Sequence, residues 1–255
     1  MYREEFESAA KGAAAKVAFL KNNPVGYFLL SMLAGMFIGF GVLLAFTIGG
    51  TLDGSPATKM AMGVSFGIAL SLVVMAGAEL FTGNNLVMAA GLNRKTITSG
   101  DAVKLWIVCW LGNLCGSVLL AVIYHLTGLG IGTPAGEFMA AGAFGKMTAG
   151  LVPLLTRGIL CNMLVCLAVW CTFRCKTEAG KLIMIFWCLF AFITTGFEHS
   201  IANMTLLTEA LLNPADQAVT FGGWVYNLIV VTIGNMIGGI FFVAIPYALA
   251  SRETE

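Results

Sequence analysis

The chain has 255 residues, of which only 11% are charged and 58% hydrophobic, and a net charge of +1. A soluble domain carries about a quarter charged residues, so a soluble enzyme or binding module is excluded. With no basic patch, nucleic acid is not an expected partner either. The charges are clustered and leave uncharged runs at 22–52, 60–78, 105–136, 158–173, 182–197 and 217–251. Most approach or exceed the roughly 17–25 residues of a spanning helix, and none alternates in the manner of an outer-membrane barrel.

Residues 2–21 set Phe6, Ala9, Ala10, Ala13, Val17 and Leu20 at helical spacing against Lys11, Lys16 and Lys21. The pattern predicts an amphipathic helix on the membrane surface over 1–22. Glu4, Glu5 and Glu7, with no apolar core segment, argue against a cleaved signal peptide. Span one opens at Asn23-Pro24 and ends near Gly49-Gly50, and Thr51–Lys59 (TLDGSPATK) reads as a loop. Span two runs from about Met60 to Gly91 and is interrupted at Glu79–Asn84. Span three covers about Ala102–Leu126. A Gly/Pro-rich connection and a segment with Lys146 lead to span four, about Ala149–Cys171. Span five starts near Lys181, is interrupted at Glu198–Ala202 and resumes to about Leu212. Span six covers about Trp224–Leu249, which gives a membrane domain over 23–250 and a tail over 251–255.

Lysine and arginine favour cytoplasmic loops. They precede span one, lie between spans two and three and between four and five, and follow span six, so both termini are expected in the cytoplasm. The seven cysteines lack CxxC pairs and read as packing, and the sequence calls for no cofactor or metal.

The two interruptions are copies of one pattern. In Gly77–Met88 (GAELFTGNNLVM) and Thr194–Met204 (TTGFEHSIANM), Gly77 aligns with Gly196, Glu79 with Glu198 and Asn84 with Asn203. Leu111–Gly116 (LGNLCG) in span three is answered by Ile233–Gly238 (IGNMIG) in span six. Glu79 to Glu198 is 119 positions and Asn113 to Asn235 is 122. Each copy, 23–127 and 146–250, holds three spans. Three is odd, so the second copy is inverted, and matched broken helices then point to a transport site near the midplane. Gly112, Gly116, Gly234 and Gly238 have the small-xxx-small spacing of close helix contact.

The second half of a broken helix turns its free N–H groups and positive dipole end toward the break. Two such ends, expected from about Asn84 and Asn203, suit an anion without any formal charge. A purely structural reading instead seals the kinks with Thr82, Asn84, Ser200 and Asn203. His199 at this depth is a functional candidate, able to switch charge near neutral pH or to donate a hydrogen bond. The alternative is a structural histidine bonded to Asn162 or Asn235. Glu79 and Glu198 would repel an anion, so they are expected to turn away and accept backbone N–H bonds beside the breaks. Lys146 can draw anions into an outer vestibule. Phe66, Leu70, Leu80, Phe81 and Phe192 are candidate hydrophobic constrictions, and His125 has an expected interfacial place.

These residues also carry a resemblance. AELFTG with Phe81-Thr82, Asn162–Trp170 (NMLVCLAVW), Gly196–Met204 (GFEHSIANM) and Val231–Asn235 (VTIGN) are similar to the formate/nitrite transporter family across essentially the whole chain. The resemblance implies an aquaporin-like protomer, a homopentamer with one pore per subunit, and a prokaryotic inner membrane. It implies passage of hydrosulfide, nitrite or formate. It also implies roles for Thr82 on the loop that breaks span two, His199 at the centre, Asn162 and Asn235 beside it, Lys146 in the vestibule and the five apolar positions as constrictions. ELFTG, LAFTIGGTLD and WLGN resemble the nitrite and hydrosulfide branches more than the formate branch. An aquaporin-like channel for water or glycerol is the alternative. Asn213-Pro214-Ala215 supplies one NPA, without the second that a water channel needs.

Overall fold

The computed structural model describes residues 2–252, so 253–255 of the expected tail lie outside the described residues. The described residues form helices α1 (Arg3–Asn22), α2 (Pro24–Thr51), α3 (Thr58–Gly77), α4 (Phe81–Asn93), α5 (Ser99–Leu126), α6 (Pro134–Met147), α7 (Leu151–Arg174), α8 (Glu178–Thr195), α9 (Ser200–Leu212) and α10 (Phe221–Ala250). Six of these are long and apolar enough to cross a membrane: α2, α3, α5, α7, α8 and α10. Leu29, Phe40, Ile107, Leu119 and Phe241 are exposed along them, where an apolar solvent suits them. The chain is an all-helical, multi-pass membrane protein.

Local chemistry sets the helix starts. Asn23, with Pro24 behind it, caps Gly26, and Thr98 and Asp101 form a capping box. Thr133 caps Gly136 ahead of Pro134–Met147, so part of the expected connection before span four is itself a helix. Within α10 a π turn, Ile240–Ala244, precedes Pro246, whose missing N–H interrupts the regular ladder.

The two breaks are built alike. Gly77 (φ 82°) ends α3 and Gly196 (φ 80°) ends α8, in the left-handed region that glycine alone enters without cost. A Cβ at either position would meet nothing, so the requirement is conformational. The following residues are extended, with Leu80 before α4 and His199 before α9. The half-helices therefore begin at Phe81 and Ser200, three residues ahead of the Asn84 and Asn203 starts expected from sequence.

Glycine brings the long helices together. A Cβ on Gly116 would lie 1.9 Å from the Met32 carbonyl oxygen, and one on Gly238 2.2 Å from that of Ile159. Thus α5 rides backbone against backbone on α2, and α10 does the same on α7.

The N-terminal helix corrects the sequence reading. Phe6, Ala9, Ala10, Ala13, Val17 and Leu20 are buried, not against lipid but on the protein. Phe6 packs near Leu86, Ala90 and Trp170, with the Arg94 guanidinium 5.0 Å above its ring. Phe→Ala in a packed site removes about 3–5 kcal/mol. Phe6→Ala is therefore expected to loosen α1 and speed tryptic cleavage at Lys11 and Lys16 in intact membranes. Unchanged cleavage would mean that α1 is held elsewhere.

Candidate functional site: the meeting of two half-helices

Two asparagines at matched positions hold the breaks. Asn113 Oδ1 accepts the Phe81 N–H (2.9 Å), and its Nδ2 donates to the carbonyls of Ser31 (2.7 Å) and Glu79 (2.8 Å). Asn235 Oδ1 accepts the Ser200 N–H (2.9 Å), and its Nδ2 donates to Gly158 (2.7 Å) and Glu198 (2.9 Å). Unpaired backbone inside a membrane protein must find partners within it, and one buried amide satisfies an N–H and a carbonyl at each break while tying it to a neighbouring helix at Ser31 or Gly158. Asn235 lies beside the histidine, as expected, but its side chain is spent on backbone. In sequence Asn113 stands out only as part of a repeat. Its match to Asn235 was the available signal.

The acids differ in place and in partners from those expected: Glu79 lines the cavity at the α1 end, and Glu198 lines none of the cavities beside the breaks. Glu79 accepts from Lys16 Nζ (2.6 Å), Tyr27 Oη (3.1 Å) and Asn84 Nδ2 (3.1 Å). Glu198 accepts from Lys146 Nζ (2.8 Å) and Asn203 Nδ2 (2.7 Å). Side chains, not backbone N–H groups, satisfy the carboxylates, because each lies within reach of a lysine delivered by a helix outside the breaks. Lys16 comes from α1 and Lys146 from α6. The two lysines play equivalent parts in the two repeats, and Lys146 serves as the counter-ion of Glu198 while also facing the vestibule.

His199 is 3% exposed. Its Nδ1 accepts the Ala202 N–H (3.0 Å), which puts the ring proton on Nε2, and Nε2–H donates to Thr82 Oγ1 (3.0 Å). Neither Asn162 nor Asn235 bonds the ring. Asn162 Nδ2 instead donates to the carbonyls of Thr82 (3.3 Å) and Asn235 (2.6 Å), and the Cys166 thiol donates to the Thr82 carbonyl (3.4 Å). Residues from the two inverted halves thus meet at one hydrogen bond, Thr82 from the first turn of α4 and His199 from the cap of α9.

A path of two vestibules and a narrow chamber passes His199, while Thr82, fully buried, lines none of the three. At the end away from α1, a vestibule of about 540 Å³ is lined by Lys59, Lys146, Asn203, Phe66, Phe192 and His199, among others. At the α1 end, a second of about 420 Å³ is lined by Lys16, Glu79, Asn84, Leu70 and Leu80, among others. Between them lies a chamber of about 10 Å³, walled by Phe66, Phe192, His199, Leu70, Leu80, Ile38, Val165 and Leu189. That is room for about one water molecule. Phe66, Phe192 and His199 border the first vestibule and the chamber, whereas Leu70 and Leu80 border the chamber and the second. The rings meet in sequence, Phe66 edge to face with Phe192 at 5.6 Å and Phe192 stacked on His199 at 5.9 Å between centroids.

Four of the five expected constriction residues therefore line the path, and Phe81 does not. It faces a groove with Trp106, Trp110 and Met236. Leu80 is the last extended residue and Phe81 the first helical one, so their side chains leave the chain in different directions. Ile38, Val165 and Leu189 line the chamber and carried no distinguishing signal among so many aliphatic residues. The NPA triplet ends a helix, with Asn213 capping α9 at its C-terminus and donating to the Gly130 carbonyl (3.1 Å). It therefore opens no half-helix.

Inverted repeats, paired half-helices and a constricted path between two vestibules define a membrane channel or transporter, not an enzyme. The chain belongs to the formate/nitrite transporter family, whose model matches residues 3–249. It is 39% identical over 255 residues to the nitrite transporter NirC of Salmonella typhimurium, covering 100% of this chain and 94% of that one. The probable formate transporter of Methanothermobacter thermautotrophicus is 36% identical, with 93% of each chain covered. A solved FNT family ion channel superposes with a TM-score of 0.92 at 38% identity, over 97% of this chain and 99% of that one. A pentameric formate channel with formate bound gives 0.81 at 31% identity, over 90% and 98%.

Proposed function

We propose that the protein conducts small monovalent weak-acid anions, nitrite foremost and formate second, through the Thr82–His199 waist. Hydrosulfide belongs in the same charge and size class. The observation that carries this reading is the hydrogen bond between Thr82 and His199 at the meeting of two half-helix N-termini. Both nearby lysines are engaged by glutamates. The waist therefore offers dipole ends, an Nε2–H and a hydroxyl, donors that attract an anion without trapping it as a fixed cation would.

With Nδ1 occupied by the Ala202 N–H, the ring meets the anion neutral and serves as a hydrogen-bond donor. Apolar side chains on both sides of the waist strip water from whatever passes, which favours species of one or a few heavy atoms. Phe66, Phe192, Leu70 and Leu80 must move apart for passage. Lys146 and the exposed Lys59 collect anions at the wider mouth. Asn162 and Asn235 keep the waist in register. The likeness to a pentameric formate channel and to bacterial nitrite transporters supports a homopentamer with one path per protomer. The bacterial relatives support a prokaryotic inner membrane, and the charge bias of the loops supports both termini in the cytoplasm.

The test is uptake by purified protein in liposomes of nitrite, formate and hydrosulfide, with chloride and glycerol as controls and with and without a proton gradient. Loss of one hydrogen bond to a charged group is worth about 1.5–3 kcal/mol. Thr82→Ala and His199→Asn should accordingly slow nitrite uptake about 10- to 100-fold. Glycerol flux without anion flux would overturn the reading in favour of a neutral-solute facilitator.

A further inference from the structure

At the end of the bundle away from α1 lies a second titratable pair, remote from the waist. Glu209, in the last turn of α9, is 2% exposed, and neither of its carboxylate oxygens has a hydrogen-bond partner. His125, in the last turn of α5, brings Nδ1 to 3.7 Å from Glu209 Oε1, and this nitrogen also lacks a hydrogen-bond partner. The His125 side chain is 28% exposed, so it connects the sealed carboxylate to outside protons. Gly130 closes over the pair, where a Cβ would stand 3.5 Å from Oε1.

A lone buried carboxylate is costly, more so at the negative end of its own helix. From α5, His125 and Tyr124 are the titratable groups that face Glu209. The other elements packed on α9 present no competing charge there. Helices α2, α4 and α10 contain no Asp, Glu, Lys, Arg or His, and Glu137 and Lys146 of α6 line the vestibule.

We propose that His125 and Glu209 form a proton-operated clamp on the outer end of the pore half-helix, joined while they share one proton. Binding of a second proton or loss of the shared one leaves the pair without opposite charges. Either change removes the attraction. Helix α9 is capped at its other end by His199, ten residues and about 15 Å away, so release at Glu209 lets the waist shift. The conduction half of this inference rests on the channel reading above.

The experiment compares wild type, Glu209→Gln, His125→Gln and the double variant in liposomes at equal pH on both sides. Each single variant's nitrite flux, divided by that of wild type, should differ near neutral pH by about three-fold or more from its value at both about pH 5.5 and about pH 8.5. The double variant should change no further, since both substitutions remove one interaction. A ratio flat across pH, or effects that multiply, overturns the clamp. If Glu209→Gln does not assemble, the ratio for His125→Gln alone decides. Thermal unfolding of the same proteins needs no transport. Non-additive midpoints at neutral pH that become additive at both pH extremes support the clamp, and additive midpoints throughout overturn it. Absence of flux in wild type would defeat the channel reading, and the midpoints would still decide the clamp.

Discussion

Asn235→Ala is expected to cost more stability than truncation of the neighbouring Asn162. It strands the buried Ser200 N–H and Glu198 carbonyl and removes a second bond from the Gly158 carbonyl, which keeps its helical partner. Each stranded group costs about 1–3 kcal/mol, and the two together come to about 2–6 kcal/mol. The thermal midpoint in detergent should fall by on the order of 10 °C or more, and nitrite flux should be lost because the start of α9 is no longer fixed. Asn113→Ala should behave alike, having the same three kinds of partner in the other repeat. Asn162→Ala is the comparison, because its Oδ1 is already without a partner and only two donated bonds disappear. A midpoint for Asn235→Ala no lower than that for Asn162→Ala would show that other contacts hold the break.

Gly116→Ala is the second large effect. The new methyl group would sit 1.9 Å from the Met32 carbonyl oxygen and 2.8 Å from the Met32 Cα, a clash with backbone that no rotamer can relieve. Overpacking usually costs about 1–3 kcal/mol, and here α2 and α5 must separate along their shared face, so the cost should exceed that range. Gly238→Ala repeats the test at 2.2 Å from the Ile159 carbonyl oxygen. Gly145→Ala is the control. A Cβ there meets nothing, and alanine in a helix gains up to about 1 kcal/mol over glycine. Chromatographic assembly and unfolding midpoint should separate Gly116→Ala and Gly238→Ala from Gly145→Ala. Equal behaviour of all three would remove the case for glycine-dependent packing.

Much of the architecture was legible because a membrane leaves the chain few options. Long uncharged runs must be helices whose backbone bonds are internal, and polar residues at depth must serve a purpose. Glu79, Thr82, Glu198 and His199 therefore marked the breaks, and the matched glycines and asparagines revealed the inverted repeat. The register at the breaks was less accessible. Sequence alone set the half-helix starts three residues late and grouped Phe81 with Leu80, since turning a side chain into or out of the path depends on the last extended residue.

What the sequence determined by itself is the six apolar spans, the two broken helices and the family, all carried by local periodicity and by motifs a few residues long. The tertiary structure decided the pairings. Lys16 reaches Glu79 across 63 positions, Thr82 meets His199 across 117, and α1 docks on protein where an interfacial helix was expected. The physical reason is that an amphipathic stripe or a buried lysine states only that a partner is required. Which partner it finds is fixed when the two inverted halves pack, and glycine contacts at Gly116 and Gly238 bring their backbones close enough for those side chains to meet.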